Sequence, residues 1–222
     1  MCYSKIARMT VASVPLRVAE LSMQVGAYLR FDVDPPCGLA SNAGVIGNLD
    51  DPLSFYHPDH DRAGLLWFRC GFVEYAFPNP LPTGARPASL ELSFEACSDA
   101  PNYDENLLSD ITLWINDREV GTWTSPGDFG GRQGRYTPEW WSPRDTQFGL
   151  LKHWRVDGEG SFLDGERVSG TKIGDLAIPG QCFLIVGLGV KPDAVHVGGM
   201  NLFGSSFGDY PQDPQLRLAY SV

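Results

Sequence analysis

The sequence has little positive charge and no long apolar run. Seventeen lysines and arginines stand against 27 aspartates and glutamates, which gives a formal net charge of −10 over 222 residues. Binding to nucleic acid depends on neutralising phosphates, so we expect the chain by itself to bind neither DNA nor RNA, and no anionic membrane. No stretch approaches the roughly 20 apolar residues that cross a bilayer. The first 24 residues contain no continuous apolar segment of the secretory type, so we expect no signal peptide.

Paired cysteines are also lacking. The chain has five cysteines, an odd number, and they are widely spaced with no CxxC pair. They are Cys2, Cys37, Cys70, Cys97 and Cys182. Scattered thiols of this kind are typical of reducing compartments, where free cysteine mostly fills core space. We therefore predict a cytoplasmic protein.

Helical periodicity is scarce, whereas alternation with a period of two residues is common. Residues 88–98 alternate between apolar and polar side chains, with Leu90, Leu92 and Phe94 on one side and Glu95 among the polar set. Residues 110–125 predict a hairpin that turns at Asn116-Asp117. Further strands are predicted at 19–25, 27–33, 64–70, 71–77, 147–156, 181–191 and 215–221.

The 25 glycines and 17 prolines argue against long helices and for many turns. Short antiparallel strands with long irregular loops predict an all-β fold, an antiparallel β-sandwich that is jelly-roll-like. We predict one domain over residues 1–222, in which residues 1–18 form an N-terminal extension or an edge strand.

Four stretches carry a resemblance to a known family: residues 35–68, 109–141, 146–165 and 189–213. Over roughly residues 20–220 the sequence resembles the C-terminal half of a group of bacterial ArsR-type transcriptional regulators. In that group a winged-helix DNA-binding domain precedes a β-rich domain that is taken to sense an effector. Fewer than about 25 residues precede the resemblance, whereas a winged helix needs about 70 or more. We therefore expect a chain without the DNA-binding half.

Residues 124–141 form a segment longer than the usual connection of about 4–6 residues. Guanidinium groups bind carboxylate or phosphate, and aromatic faces stack on rings or cations. The segment is therefore predicted to form the wall of a site for a small organic ligand. Its candidate ligand-binding residues are Asp128, Arg132, Arg135, Tyr136, Trp140 and Trp141. In the alternative interpretation the tryptophans close one end of the sandwich and Asp128 pairs with Arg132.

The segment SFYHPDHDR (54–62) concentrates histidine and aspartate. His57, Asp59, His60 and Asp61 are metal-ligand types, yet the H-x-x-H spacing with an intervening proline matches no regular ligand set. We expect a solvated turn or a helix N-cap there, and no metal. His57 of this segment joins the ligand-binding candidates as a polar group, together with His196, Asp209 and Tyr210 from later in the chain.

No nucleophile elbow, phosphate-binding loop or activated cysteine is present in the sequence. Acid–base chemistry stays open, since a carboxyl group among tryptophans would have a raised pKa. The catalytic candidates are Asp128, Glu139 and His153. The sequence thus predicts a small-molecule-binding β-sandwich without a cofactor; the alternative is a cofactor-free cyclase, isomerase or lyase. A homodimer is left open.

Overall fold

The computed structural model describes residues 15–222, and strands dominate it. Thirteen strands occur in this part of the chain: β1 Arg17–Ser22, β2 Arg30–Ser41, β3 Gly44–Ile46, β4 Leu65–Pro78, β5 Arg86–Cys97, β6 Ser109–Ile115, β7 Arg118–Ser125, β8 Leu150–Val156, β9 Ser161–Leu163, β10 Glu166–Ser169, β11 Phe183–Val190, β12 Met200–Phe203 and β13 Gln215–Ser221. Three short 3-10 turns lie at Pro52–Tyr56, His60–Arg62 and Ile173–Leu176. None of the helical segments among residues 15–222 is long and apolar enough to cross a membrane.

The strands form one antiparallel sheet that folds back on itself. Its main path runs β10-β9-β8-β5-β12-β4-β11-β6-β7, with β13 joining β1 to β5 and β2 joining β3 to β4. The two ends of the path meet, because the Ser169 hydroxyl donates to the Val120 carbonyl oxygen at 2.6 Å. The structure confirms the predicted all-β antiparallel sandwich of jelly-roll type with long loops.

The core lies between the two folded halves of the sheet. It is filled by large side chains that water does not reach, among them Trp154, Tyr75, Phe77, Phe94 and Leu90. Burial of one such side chain contributes about 1.5–3 kcal/mol to the free energy of unfolding. The rigid sandwich holds two long connections, residues 98–108 and 126–149, at one end of the sheet.

The predicted hairpin is confirmed. Strands β6 and β7 pair around Asn116 and Asp117, whose φ angles of 49° and 63° belong to a left-handed turn. The β6 side chains of Ile111, Leu113 and Ile115 are fully buried.

The prediction of separate strands at 64–70 and 71–77 is wrong, because both belong to β4. Gly71 permits this continuity. Its φ is 110°, and a Cβ there would lie 1.9 Å from the Asp32 carbonyl oxygen of the neighbouring strand. In the sequence this glycine suggests a break between strands, whereas in the structure it allows two neighbouring strands to pack closely.

The N-terminal prediction falls mostly on residues 1–14, which lie outside the described residues. Within the described part, β1 pairs with β13, and residues 17–22 thus form an added strand at the margin of the sheet.

A tryptophan-lined acidic cleft as the candidate functional site

The two long connections enclose a cleft of about 460 Å³ beside β4 and β12. We call it the tryptophan cleft. Its walls are Trp67, Trp140 and Trp141, and its polar lining is Asp50, Asp99, Ser142, Asp145, Thr146 and Asn201. A volume of this size suits a small organic molecule.

Each tryptophan is fixed by the main chain. Trp67 lies on β4 over Gly38 of β2, where a Cβ would come within 2.3 Å of the indole ring. Trp140 donates its Nε1–H to the Asn42 carbonyl oxygen, and Trp141 donates to that of Thr146, both at 2.8 Å. The rings are thus held in place by the fold.

The three rings stand at steep angles to one another. The Trp67 and Trp141 centroids are 5.6 Å apart at 64°, and those of Trp140 and Trp141 are 5.5 Å apart at 88°. Phe207 packs behind Trp141 at 5.8 Å. The rings therefore pack edge to face and do not form a single flat platform.

A hydrogen-bonded network forms the floor of the cleft. The buried Asn201 amide donates to the Asp99 carboxylate at 3.3 Å, to the Thr146 hydroxyl at 3.2 Å and to the Ser98 carbonyl oxygen at 2.7 Å. Thr146 in turn donates to the Asp128 carboxylate at 2.8 Å. The network orients Asp99 and ties both long connections to β12.

The acidic side chains of this region have raised pKa values, because they are buried and lie near other carboxylates. The pKa of Asp99 is raised to about 7, mainly by burial, and the negative charges of Asp128, Asp50 and Asp145 contribute to this shift. Burial also raises the pKa of Asp128 to about 6 and that of Asp145 above its ordinary value. Asp99 therefore changes its protonation state near neutral pH.

The lining of the cleft is acidic. Among residues 15–222, those that line it include Asp50, Asp99 and Asp145, and none is a lysine, arginine or histidine. The cleft is acidic as well as aromatic, and it repels anions.

The structure places the candidate residues of the 124–141 segment in different surroundings. Trp140 and Trp141 line the cleft, whereas Asp128 lies fully buried behind its floor and accepts from the Ala100 N–H at 2.8 Å. Arg132 does not pair with Asp128. Its two terminal guanidinium nitrogens donate to the Asp209 carboxylate, and its Cζ atom lies 3.6 Å from the centre of the Phe148 ring.

The other residues of that segment, Arg135, Tyr136 and Glu139, are exposed and lie outside the lining of the cleft. A second loop that supplied candidates, around Asp209 and Tyr210, instead covers a buried carboxylate, as their backbone N–H groups donate to Glu95 at 2.9 and 3.0 Å.

The histidine candidates lie at separate places. His57 lines a cavity beside the β2–β3 hairpin with Asp59 and Arg62, while the His60 ring bonds to the Gly26 carbonyl oxygen at 2.6 Å. His196 contacts Asp110 at 3.3 Å. No group of three or more metal-ligand side chains converges among residues 15–222.

His153 belongs to a larger groove of about 750 Å³ on the outer face of β5, β8 and β13. We call it the sheet groove. Its cations already have partners, because Arg217 pairs with Glu20 and Glu91, and Arg155 pairs with Asp157. The Arg155 guanidinium also lies over the Phe162 ring at 5.8 Å. The arginines of the sheet groove are thus already neutralised by carboxylates of the chain itself.

Sequence reasoning missed the polar half of the cleft. Asn201 gave a signal, since it interrupts the apolar strand MNLF. No signal in the sequence marked Trp67, because a tryptophan within an apolar run usually belongs to the core. Asp99 and Asp145 lie in irregular connections, where aspartate usually serves turns.

No protein-family model and no curated protein matches the chain. Among solved structures, the chain is similar to the CBM36-1 domain of a multidomain xylanase from the hindgut metagenome of Trinervitermes trinervoides. The identity is 9%, the TM-score is 0.35, and the match covers 92% of this chain and 96% of that one. The functional proposal therefore rests on the geometry of the site.

Proposed function

We propose that the protein binds a small organic molecule in the tryptophan cleft. The observation that carries this proposal is the convergence of three fixed indole rings with the Asp99 and Asn201 side chains around one space. Apolar walls with a few oriented polar groups are typical of small-molecule sites. A binding function also agrees with the sequence resemblance to an effector-sensing domain, which stays a prediction.

The exposure of Trp140 supports a binding role. Its side chain is 40% exposed although it is large and apolar, and its one polar atom already bonds to Asn42. Exposed tryptophan beside partly buried carboxyl groups leaves apolar surface in water, which a bound ligand would cover.

Ligand-observed NMR with a mixed library of neutral, cationic and anionic fragments tests this proposal. We expect fragments that bind the full chain to compete with one another for one site and to quench tryptophan fluorescence. Their affinity should fall about tenfold or more in Trp140→Ala, because the variant removes one wall of the cleft.

Trp114→Ala is the matched control. Trp114 is a partly buried tryptophan on β6 outside the cleft. Both variants are first compared by melting temperature. If fragments bind Trp140→Ala as well as they bind the wild type, or if no fragment binds at all, the proposal is wrong.

A second candidate function is acid–base catalysis on the bound molecule. One observation favours it: the Asp99 carboxyl group borders the cleft with its pKa raised to about 7, where a group both donates and accepts protons efficiently. This corresponds to a cofactor-free isomerase, cyclase or lyase.

Hydrogen exchange distinguishes catalysis from binding alone. Fragments that bind are incubated with protein in D₂O, and loss of their carbon-bound proton signals is followed by NMR. A catalyst would speed exchange with the wild type and not with Asp99→Asn. Equal rates in both proteins and in buffer would leave binding as the function and remove the catalytic candidate.

A further inference from the structure

We propose that the ligand of the tryptophan cleft is an organic cation whose charge is carried by an ammonium nitrogen. This inference rests on the proposed binding function and adds the chemical class of the ligand. Three features of the cleft support it: its charge, the arrangement of its rings and the absence of competing cations in its lining.

The charge of the cleft is the first feature. Asp99, Asp145 and Asp50 all border the same space, and Asp128 lies behind its floor. Like charges so placed repel one another, and this repulsion adds to the effect of burial in raising the pKa of Asp99. A bound cation would relieve the repulsion, whereas an anion would increase it.

The second feature is the arrangement of the rings. The planes of Trp140 and Trp141 are nearly perpendicular, and that of Trp67 is inclined by 64° to Trp141. A pyranose ring stacks its C–H face best on one broad, open aromatic face, while a compact ammonium group needs only a small area of ring face. Walls at steep angles therefore favour the compact cation.

The third feature is the absence of an internal counter-ion. In the sheet groove, arginines neutralise the neighbouring carboxylates. Among the described residues that line the tryptophan cleft, none carries a positive charge. The carboxylates of the cleft are thus free to interact with a cation from solution.

Asp99 links binding to pH. An ammonium ion binds the ionised form of Asp99 more tightly than the protonated form, so its binding below about pH 7 must displace a proton. A neutral ligand has no such requirement. The pH dependence of affinity therefore reports the charge of the ligand.

Isothermal titration calorimetry with the full chain tests the inference with four probes: choline, propylammonium, 3,3-dimethylbutan-1-ol and methyl β-D-glucopyranoside. The third probe is the neutral isostere of choline, in which carbon replaces nitrogen. At pH 8 we expect at least one of the two cations to bind about tenfold or more tightly than the neutral isostere. The affinity for this cation should rise about three- to tenfold between pH 6 and pH 8, with proton release at pH 7.

Variants locate the effect. Asp99→Asn should weaken binding of the cation about tenfold and reduce the pH dependence, while Asp61→Asn, with the same loss of charge at an exposed site outside the cleft, should do neither. Trp140→Ala should weaken binding, and Trp140→Phe should restore most of it.

The outcomes separate the inference from the proposed function. If the neutral isostere binds as tightly as the cations, or if the glucoside binds and both cations do not, the ligand class is wrong and the binding function stands. If neither cation binds at millimolar concentration while library fragments occupy the cleft, the ligand class is again wrong. If no probe and no fragment binds, both proposals fail.

Discussion

Glu95 and Asp99 lie four residues apart at the end of β5, yet their surroundings differ. Glu95 is fully buried and accepts hydrogen bonds from the backbone N–H groups of Gly149, Asp209 and Tyr210 at 2.8 to 3.0 Å. Asp99 lies just beyond the strand at the edge of the tryptophan cleft, where the Asn201 amide is its side-chain partner among the described residues.

Both carboxyl groups have a pKa raised to about 7, with burial as the main cause in each. At Glu95 the three N–H groups oppose the shift, whereas at Asp99 three neighbouring carboxylates increase it. A shifted pKa therefore does not by itself mark a functional residue. The distinguishing feature is whether the partners are fixed by the fold or left for a ligand to supply.

The largest loss of stability is expected from Glu95→Gln. The amide nitrogen of glutamine cannot accept, so at least one of the backbone N–H groups of Gly149, Asp209 and Tyr210 loses its partner. At pH 5, where Glu95 is protonated and its buried charge does not oppose folding, we expect the free energy of unfolding to fall by about 3 kcal/mol, measured by urea denaturation.

Glu91→Gln is the matched control on the same face of β5. Glu91 pairs with Arg217 across 3.3 Å in an exposed position, and such pairs contribute about 0–1 kcal/mol. Equal stability losses in the two variants would show that the N–H groups around Glu95 are not important for stability.

The pH dependence of stability should be the next largest effect. The pKa of Asp99 is about 7 in the folded protein against 3.8 ordinarily, that of Glu95 is also about 7, and that of Asp128 is about 6. Raised carboxyl pKa values mean that the folded state binds more protons. Stability from these groups is therefore full below about pH 4 and lost as the pH rises to 7.

We expect the free energy of unfolding to fall by on the order of 2 kcal/mol between pH 4.5 and pH 7.5, measured by urea denaturation across that range. In Asp99→Asn the fall should be smaller. A wild-type stability that rises steadily over this window would contradict the assignment.

Asp99→Asn itself should change stability little, in contrast to Glu95→Gln. Asparagine keeps an acceptor for the Asn201 amide and removes a charge that Asp128, Asp50 and Asp145 repel. At pH 8 we expect a change within about 1 kcal/mol, in the stabilising direction, measured by thermal unfolding. A loss as large as that of Glu95→Gln would place Asp99 in the scaffold and weaken the case for a ligand there.

Arg132→Ala should have the smallest effect. Arg132 is half exposed and pairs with Asp209, whose N–H donates to Glu95, so the variant loosens the loop over Glu95 without touching the cleft. We expect about 0.5 kcal/mol less stability by urea denaturation and unchanged fragment affinity. Weaker fragment binding at unchanged stability would show instead that Arg132 contacts the ligand.

Much of the fold was predictable from local pattern. Alternation in 88–98 located β5, and Asn116-Asp117 located the β6–β7 turn, because side-chain alternation and turn chemistry act between near neighbours in the chain. The same local reasoning identified Trp140 and Trp141 as unusual for a connection. It placed Glu95 on the polar face of β5 but could not show that the 208–210 loop covers it.

The sequence by itself thus determined an acidic, strand-rich chain with an aromatic loop, since charge, turn residues and alternation are properties of neighbouring residues. Only the tertiary structure decided that Trp67, Asp99 and Asn201 meet Trp140 and Trp141, and that Arg132 turns away to Asp209. The physical reason is that β4, β12 and the two long connections are brought together by sheet pairing between residues far apart in the chain. No local pattern records such pairing, because it is selected by burial of the whole core.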